Sequence, residues 1–158
     1  MGVCSIDTVD LVKAKAVAQD VLDYLGYLHP AKGSYCVGDC PSLTNMTDQA
    51  QNHITTITAS CRVCALGAML LSYIRKYNHL TVDNITNFAG DVDVSRMLIV
   101  DFLEPIFGGA QLNLIEDAFE GWPDHPKTAV FCAEHPDPTE RLRAIMDNII
   151  QNEGVFKL

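Results

Sequence analysis

Basic residues are scarce in this chain: 11 Lys and Arg stand against 20 Asp and Glu over 158 residues, a formal charge of -9. That balance repels phosphate backbones and anionic headgroups at long range, so neither nucleic acid nor a membrane surface is an expected partner. It attracts a basic protein surface, and it equally keeps a soluble protein dispersed. Long apolar runs are missing too, since no stretch reaches the roughly 18 residues that a membrane-spanning helix needs. The N-terminus lacks the basic-then-apolar order of a secretory signal, and Ile6 stands where a myristoylation signal beginning Met1-Gly2 requires Ser or Thr. A cytoplasmic location is the expectation. No internal repeat, low-complexity tract or long linker divides the chain, so residues 1–158 are read as a single domain.

Several chemical signatures are absent as well. There is no phosphate-cradling glycine loop, no serine nucleophile elbow and no zincin helix. The expectation is accordingly a non-enzymatic protein without a cofactor, unless its cysteines act together.

What is present is helical periodicity. The composition, 48% hydrophobic and 20% charged, suits a globular chain able to bury about two-thirds of its unfolded surface. Val9, Val12, Ala16, Val17, Val21 and Leu25 predict an amphipathic helix from about Asp7 to Tyr27, stopping near His29-Pro30. Residues Ala31 to Met46 read as an irregular loop with room for a short extended piece at Ser34 to Val37. Thr47 to Gln49 can open a short helix that the β-branched run Ile54 to Thr58 weakens. Between Ala59 and Tyr77 the run Val63 to Leu71 is apolar on every side, which places that helix in the middle of a bundle. Gly67 inside it is explained by close approach of another helix.

Further along, Thr81 to Phe88 suits a short helix. Asp91 or Asp93 can cap the next, which carries Val94, Met97, Leu98, Val100, Phe102 and Leu103 and stops between Pro105 and Gly109. Ala110 to Glu120 repeats the pattern with Leu112, Leu114, Ile115, Ala118 and Phe119. Thr128 to Cys132, short and apolar, reads as an extended segment. Asp137-Pro138-Thr139-Glu140 supplies an N-cap, a proline at the first helical position and a glutamate placed for a capping box. Leu142, Ile145, Met146, Ile149 and Ile150 make the buried stripe of that helix, and Gly154 terminates it. The expected fold is mainly α, a single compact helical domain of five to seven helices with room for a small two-stranded element.

The six cysteines, in a reducing compartment, are read as thiols rather than as a disulfide framework. Cys36-x3-Cys40 and Cys61-x2-Cys64 form two chelating pairs that would close a tetrahedral zinc site if they converge. Buried structural cysteine is the competing reading, because zinc ribbons carry their pairs on knuckle turns whereas Cys64 falls in an apolar helix. Cys61, after Ser60 near a helix N-terminus, has the setting of a nucleophile, for which His53, His79, His125 or His135 would be the base. Trp122-Pro123-Asp124-His125-Pro126 reads as a pocket wall or as a rigid proline turn anchored in the core by Trp122. Glu116, Asp117 and Glu120, with Asp124 nearby, make a solvated acidic face or a divalent-cation site.

Cys61-Arg-Val-Cys64-Ala65-Leu66-Gly67-Ala68, followed by Trp122-x-Asp124 and a terminal helix opening near Pro138-Thr139, resembles uncharacterised small proteins encoded by bacteria and their phages. In that group a Cys-x-Leu-Gly-Ala helix precedes a Trp-Asn-Asp turn and a final helix; Pro123 stands here in place of the Asn. The resemblance implies a bacterial or phage origin and brings no activity with it. It also implies that the helix bearing Gly67 and the turn bearing Trp122 pack on each other.

Two functional readings remain. The first is a phage-encoded protein-interaction or host-modulating protein acting through an acidic helical surface. The second is a small cysteine-dependent enzyme or zinc-supported domain that uses Cys61 and Cys64 with Cys36 and Cys40. Zinc is the one cofactor the second reading would bring.

Overall fold

The last helix shows most directly how local sequence sets local structure. Asp137 is its N-cap, and its side chain accepts the Glu140 backbone N–H at 3.0 Å, satisfying one of the donors that a helix start leaves unpaired. Pro138 follows at the first helical position, where its missing N–H costs nothing. The computed structural model describes residues 9–33, 36–39, 62–77, 91–93, 96–122 and 126–158. Among these residues there are six α-helices: α1 Leu11–Asp23, α2 Ala65–Tyr77, α3 Arg96–Phe107, α4 Gly109–Glu120, α5 Pro126–Glu134 and α6 Pro138–Gln151. A short 3-10 turn, Leu25–Tyr27, extends α1.

Helix α2 is the axis of the fold. Its side chains are buried from Ala65 through Tyr73, Gly67 included, and α1, α3 and α4 pack around it. Helix α1 lays Ala14, Val17, Ala18 and Val21 against α2 and α6. Val12 was expected in that buried stripe but is 81% exposed, because the stripe runs through residues 14, 17, 18 and 21 and Val12 falls on the other side of the helix. Helices α3 and α4 contribute Ile99, Leu103, Ile106 and Phe107, then Leu112, Ile115, Ala118 and Phe119. With the α6 residues Leu142, Ile145, Met146 and Ile149 these form one hydrophobic core.

Among the described residues four short strands flank this core in the order β1-β3-β2-β4, where β1 is His29–Pro30, β2 Cys36–Asp39, β3 Arg62–Val63 and β4 Asp91–Asp93. β1 runs parallel to β3, while β2 runs antiparallel to both β3 and β4. Of the extended piece expected at Ser34 to Val37, Cys36 and Val37 lie in β2, and residues 34 and 35 lie outside the described residues. The sheet has more strands than the expected two, and Asp91 and Asp93, expected as helix caps, pair with Asp39 and Val37 instead.

One expected strand is a helix. Thr128 to Cys132 lies within α5, where Pro126 opens the first turn and Thr128 and Cys132, four residues apart, are the buried face. Burial at helical spacing outweighs the weak extended preference of Thr, Val and Phe. The helices expected at residues 47–58 and 81–88 lie outside the described residues.

Candidate functional site

The segment leading into α2 carries the one candidate zinc ligand whose side chain is described. Cys64 follows β3, and its carbonyl accepts the Ala68 N–H at 2.9 Å, so the residue sits at the start of the helix. Its thiol is buried, and that burial pushes its pKa up to about 12. Backbone N–H groups of Gly67 and Leu66 act in the opposite direction, and the carboxylates of Glu120 and Glu116 add to the rise. Such a thiol stays protonated at neutral pH, so Cys64 lacks the thiolate that nucleophilic catalysis needs.

Cys36 lies on β2 in register with Val63, one residue from Cys64. The antiparallel pairing thus brings one member of each cysteine pair to neighbouring positions. Cys40 and Cys61 lie outside the described residues, as do His53, His79, Asp124 and His125. Among the described residues no three Cys, His, Asp or Glu side chains are grouped to hold a metal ion. His135 lies just beyond α5, its ring against Phe131 at 4.7 Å between centroids.

The acidic residues singled out on α4 have different surroundings from one another. Glu120 accepts the Gly33 backbone N–H at 3.0 and 3.3 Å, and its pKa is raised, first by burial and then by Glu116, against the opposing pull of that hydrogen bond, Lys32 and Arg141. Asp101 and Glu104 are exposed on α3, which packs against α4. From residue 97 to residue 126 there is no Lys or Arg, while Asp101, Glu104, Glu116, Asp117, Glu120 and Asp124 all fall in that stretch. The α3–α4 hairpin therefore carries five acidic residues, Asp101, Glu104, Glu116, Asp117 and Glu120, against the single Arg96 at its start.

Trp122 does not anchor the core. The chain leaves α4 through Gly121 at φ +75°, a conformation suited to glycine, where a Cβ would stand 2.6 Å from the Cys132 sulfur. Trp122, just beyond, is 46% exposed. Helix α2 packs on α4, but the tryptophan itself projects to the surface rather than between them.

Two features were missed in the sequence. The first is Arg141, 3% exposed, whose Nε donates to the His135 carbonyl at 2.9 Å, Nη1 to Phe119 O at 3.0 Å and Nη2 to Pro136 O at 3.1 Å. One guanidinium thus ties the ends of α4 and α5 to the start of α6. Its signal was available, since Arg141 stands four residues before Ile145 on the buried face of α6.

The second is an apolar hollow of about 340 Å³ lined by Pro126, Lys127, Val130, Phe131, Glu134 and Leu158. Val130 is 56% and Leu158 41% exposed. The tail that carries Leu158 is held by two carboxamides. Gln111 donates to Phe156 O at 3.0 Å and accepts from Phe156 N at 2.7 Å, and Asn148 donates to Lys157 O at 2.6 Å and accepts from Lys157 N at 2.8 Å. Phe156, buried, meets Phe131 edge-on at 5.6 Å, which joins the tail to α5. Beside α1, Leu11, Val12, Lys15, Ala16, Gln19 and Glu153 border another hollow, of about 480 Å³.

These features define a mainly helical protein with a small mixed sheet, an acidic helical hairpin and an apolar surface hollow. No helix among the described residues is long and apolar enough to cross a membrane. No protein-family model, curated protein or solved structure matches the chain.

Proposed function

We propose that this protein is a non-enzymatic binding protein that captures a basic protein partner on the acidic face of its α3–α4 hairpin. The observation that carries this reading is the run from residue 97 to residue 126, which holds six acidic residues and no Lys or Arg, with Asp101 and Glu104 exposed and Glu120 near the cations Lys32 and Arg141. Clustered charge of one sign on paired helices raises the encounter rate with an oppositely charged surface and fixes its orientation. The free, buried thiols of Cys64 and Cys132 suit a reducing cytoplasm. In that setting a phage-encoded modulator of a host factor, rather than a nucleic-acid-binding protein, fits the charge.

The test compares the native protein with a D101N/E104Q/E116Q/D117N variant as baits in cell extract, with the fold of each checked by circular dichroism. The reading expects a defined basic protein that the native bait retains, that raised salt releases, and that the neutralised bait binds at least about tenfold more weakly. Equal capture by both baits would remove the acidic face from the function.

A second reading is favoured by one observation, the register that sets Cys36 opposite Val63 beside Cys64. On this reading Cys36, Cys40, Cys61 and Cys64 bind zinc, and the metal ties the β2 region to the start of α2. A bound cation would stabilise the Cys64 thiolate that burial alone disfavours. Elemental analysis of the native protein should then give stoichiometric zinc, and C36S should lose metal and stability together. Metal-free protein with thiols hidden until denaturation would leave Cys64 as a packed core residue.

A further inference from the structure

The hollow beside α5 lies on a different helix from the acidic hairpin and has a different character, apolar at its centre and charged at its two ends. At 100° per residue, Lys127, Val130, Phe131 and Glu134 share one face of α5, with Lys127 and Glu134 about 10 Å apart along the axis. Both charged residues are exposed, and among the described residues no salt bridge engages either. The basic end, the apolar middle and the acidic end follow one another in a way that is self-complementary.

We propose that a second copy of this chain docks on this face, with the two α5 helices antiparallel about a two-fold axis passing between Val130 and Phe131. That axis sets Lys127 against the partner subunit's Glu134, and Glu134 against the partner subunit's Lys127. Val130 meets the partner subunit's Phe131, and Leu158 closes the side of the hollow. An isologous contact of this kind requires a patch that complements itself under two-fold rotation, and the order of charges along α5 meets that condition. An unrelated helix would need the same spacing of opposite charges in reverse order.

The contact is small. A nine-residue helix and one tail side chain bury less than a standard interface, so the dimer is weak, with a Kd on the order of micromolar. The two charge pairs per dimer are exposed and screened by salt, so they set orientation more than strength.

The experiment is sedimentation equilibrium of the full chain over a concentration series at low ionic strength, on native protein, K127E, E134K and the K127E/E134K double variant. Each altered side chain is exposed, and circular dichroism verifies that all four fold alike. Each single reversal places like charges opposite each other twice and should weaken association on the order of tenfold, while the double reversal should recover native association. V130D should abolish the dimer by placing a charge in the apolar middle. A native protein that is monomeric throughout, or a double reversal no better than either single one, overturns the proposal and leaves the hollow to a partner other than this chain.

Discussion

Arg141 is charged, long and nearly inaccessible, a combination that proteins accept when the charge is hydrogen-bonded. Its three hydrogen bonds go to Phe119 O in the last turn of α4 and to His135 O and Pro136 O in the turn after α5, and its charge complements the negative poles of both helices. The ring of Phe119 lies 5.6 Å beneath the guanidinium. A lysine at this position keeps the charge but loses the planar fork, so it cannot span three acceptors in different directions. R141K should therefore lower unfolding stability by about 2–4 kcal/mol in urea titrations at unchanged m value. A loss well under about 1 kcal/mol would show that water replaces the missing donors. At this scale the sequence was legible for apolar side chains and much less so for polar ones. Leu142, Ile145, Met146 and Ile149 were expected in the core and are there, whereas Arg141, Val12 and Trp122 each depend on which neighbours surround them.

Between elements, α6 and α5 mark the two limits of what local sequence decides. Helix α6 carries its own start signal, and the Asp137 cap forms as the motif requires. D137A removes an acceptor from the first turn and should destabilise the protein by about 1 kcal/mol, read from chemical denaturation. A neutral result would place water on the Glu140 amide. Helix α5 has only Pro126 as a signal, and its Thr, Val and Phe are equally at home in a strand. What makes it a helix is non-local: Thr128 and Cys132 meet the core together, and Gly121 comes so close to Cys132 that no Cβ fits between them. The sheet was only partly legible for a related reason. Strands of two to four residues have no periodicity to read, and their partners come from segments far apart in sequence.

Across the whole molecule, the chain closes by packing α1 against α6, and Gly154 lies at that closure. Its φ is +101°, and a Cβ there would stand 2.6 Å from the Leu11 carbonyl oxygen, a backbone atom that cannot swing away. G154A combines an unfavourable backbone conformation with a steric clash, for an expected loss of about 2–4 kcal/mol. A thermal melt within a degree or two of native would mean that α1 shifts to make room. The sequence marked Gly154 as a helix stop, which is correct, but its second role at the approach of α1 has no sequence signature. The central helix, by contrast, was legible from composition alone, because a run apolar on all sides has nowhere to go but the middle. The acidic residues of α4 were visible as charge, whereas Asp101 and Glu104 on α3 were not singled out. The α5 hollow was not visible, because it is closed by a tail residue, Leu158, 24 positions beyond Glu134.

That tail has a kinetic consequence. The amide hydrogens of Phe156 and Lys157 are held by the side chains of Gln111 and Asn148, which sit on two different helices. Lifting the tail breaks both pairs and withdraws the Phe156 ring from the core, so these hydrogens should exchange with deuterium through that lifting as a unit rather than by independent fraying. Although Phe156 lies only two residues before Leu158, its amide should exchange more slowly than a frayed end would, and the wall of the hollow should stay in place when the rest of the tail frays.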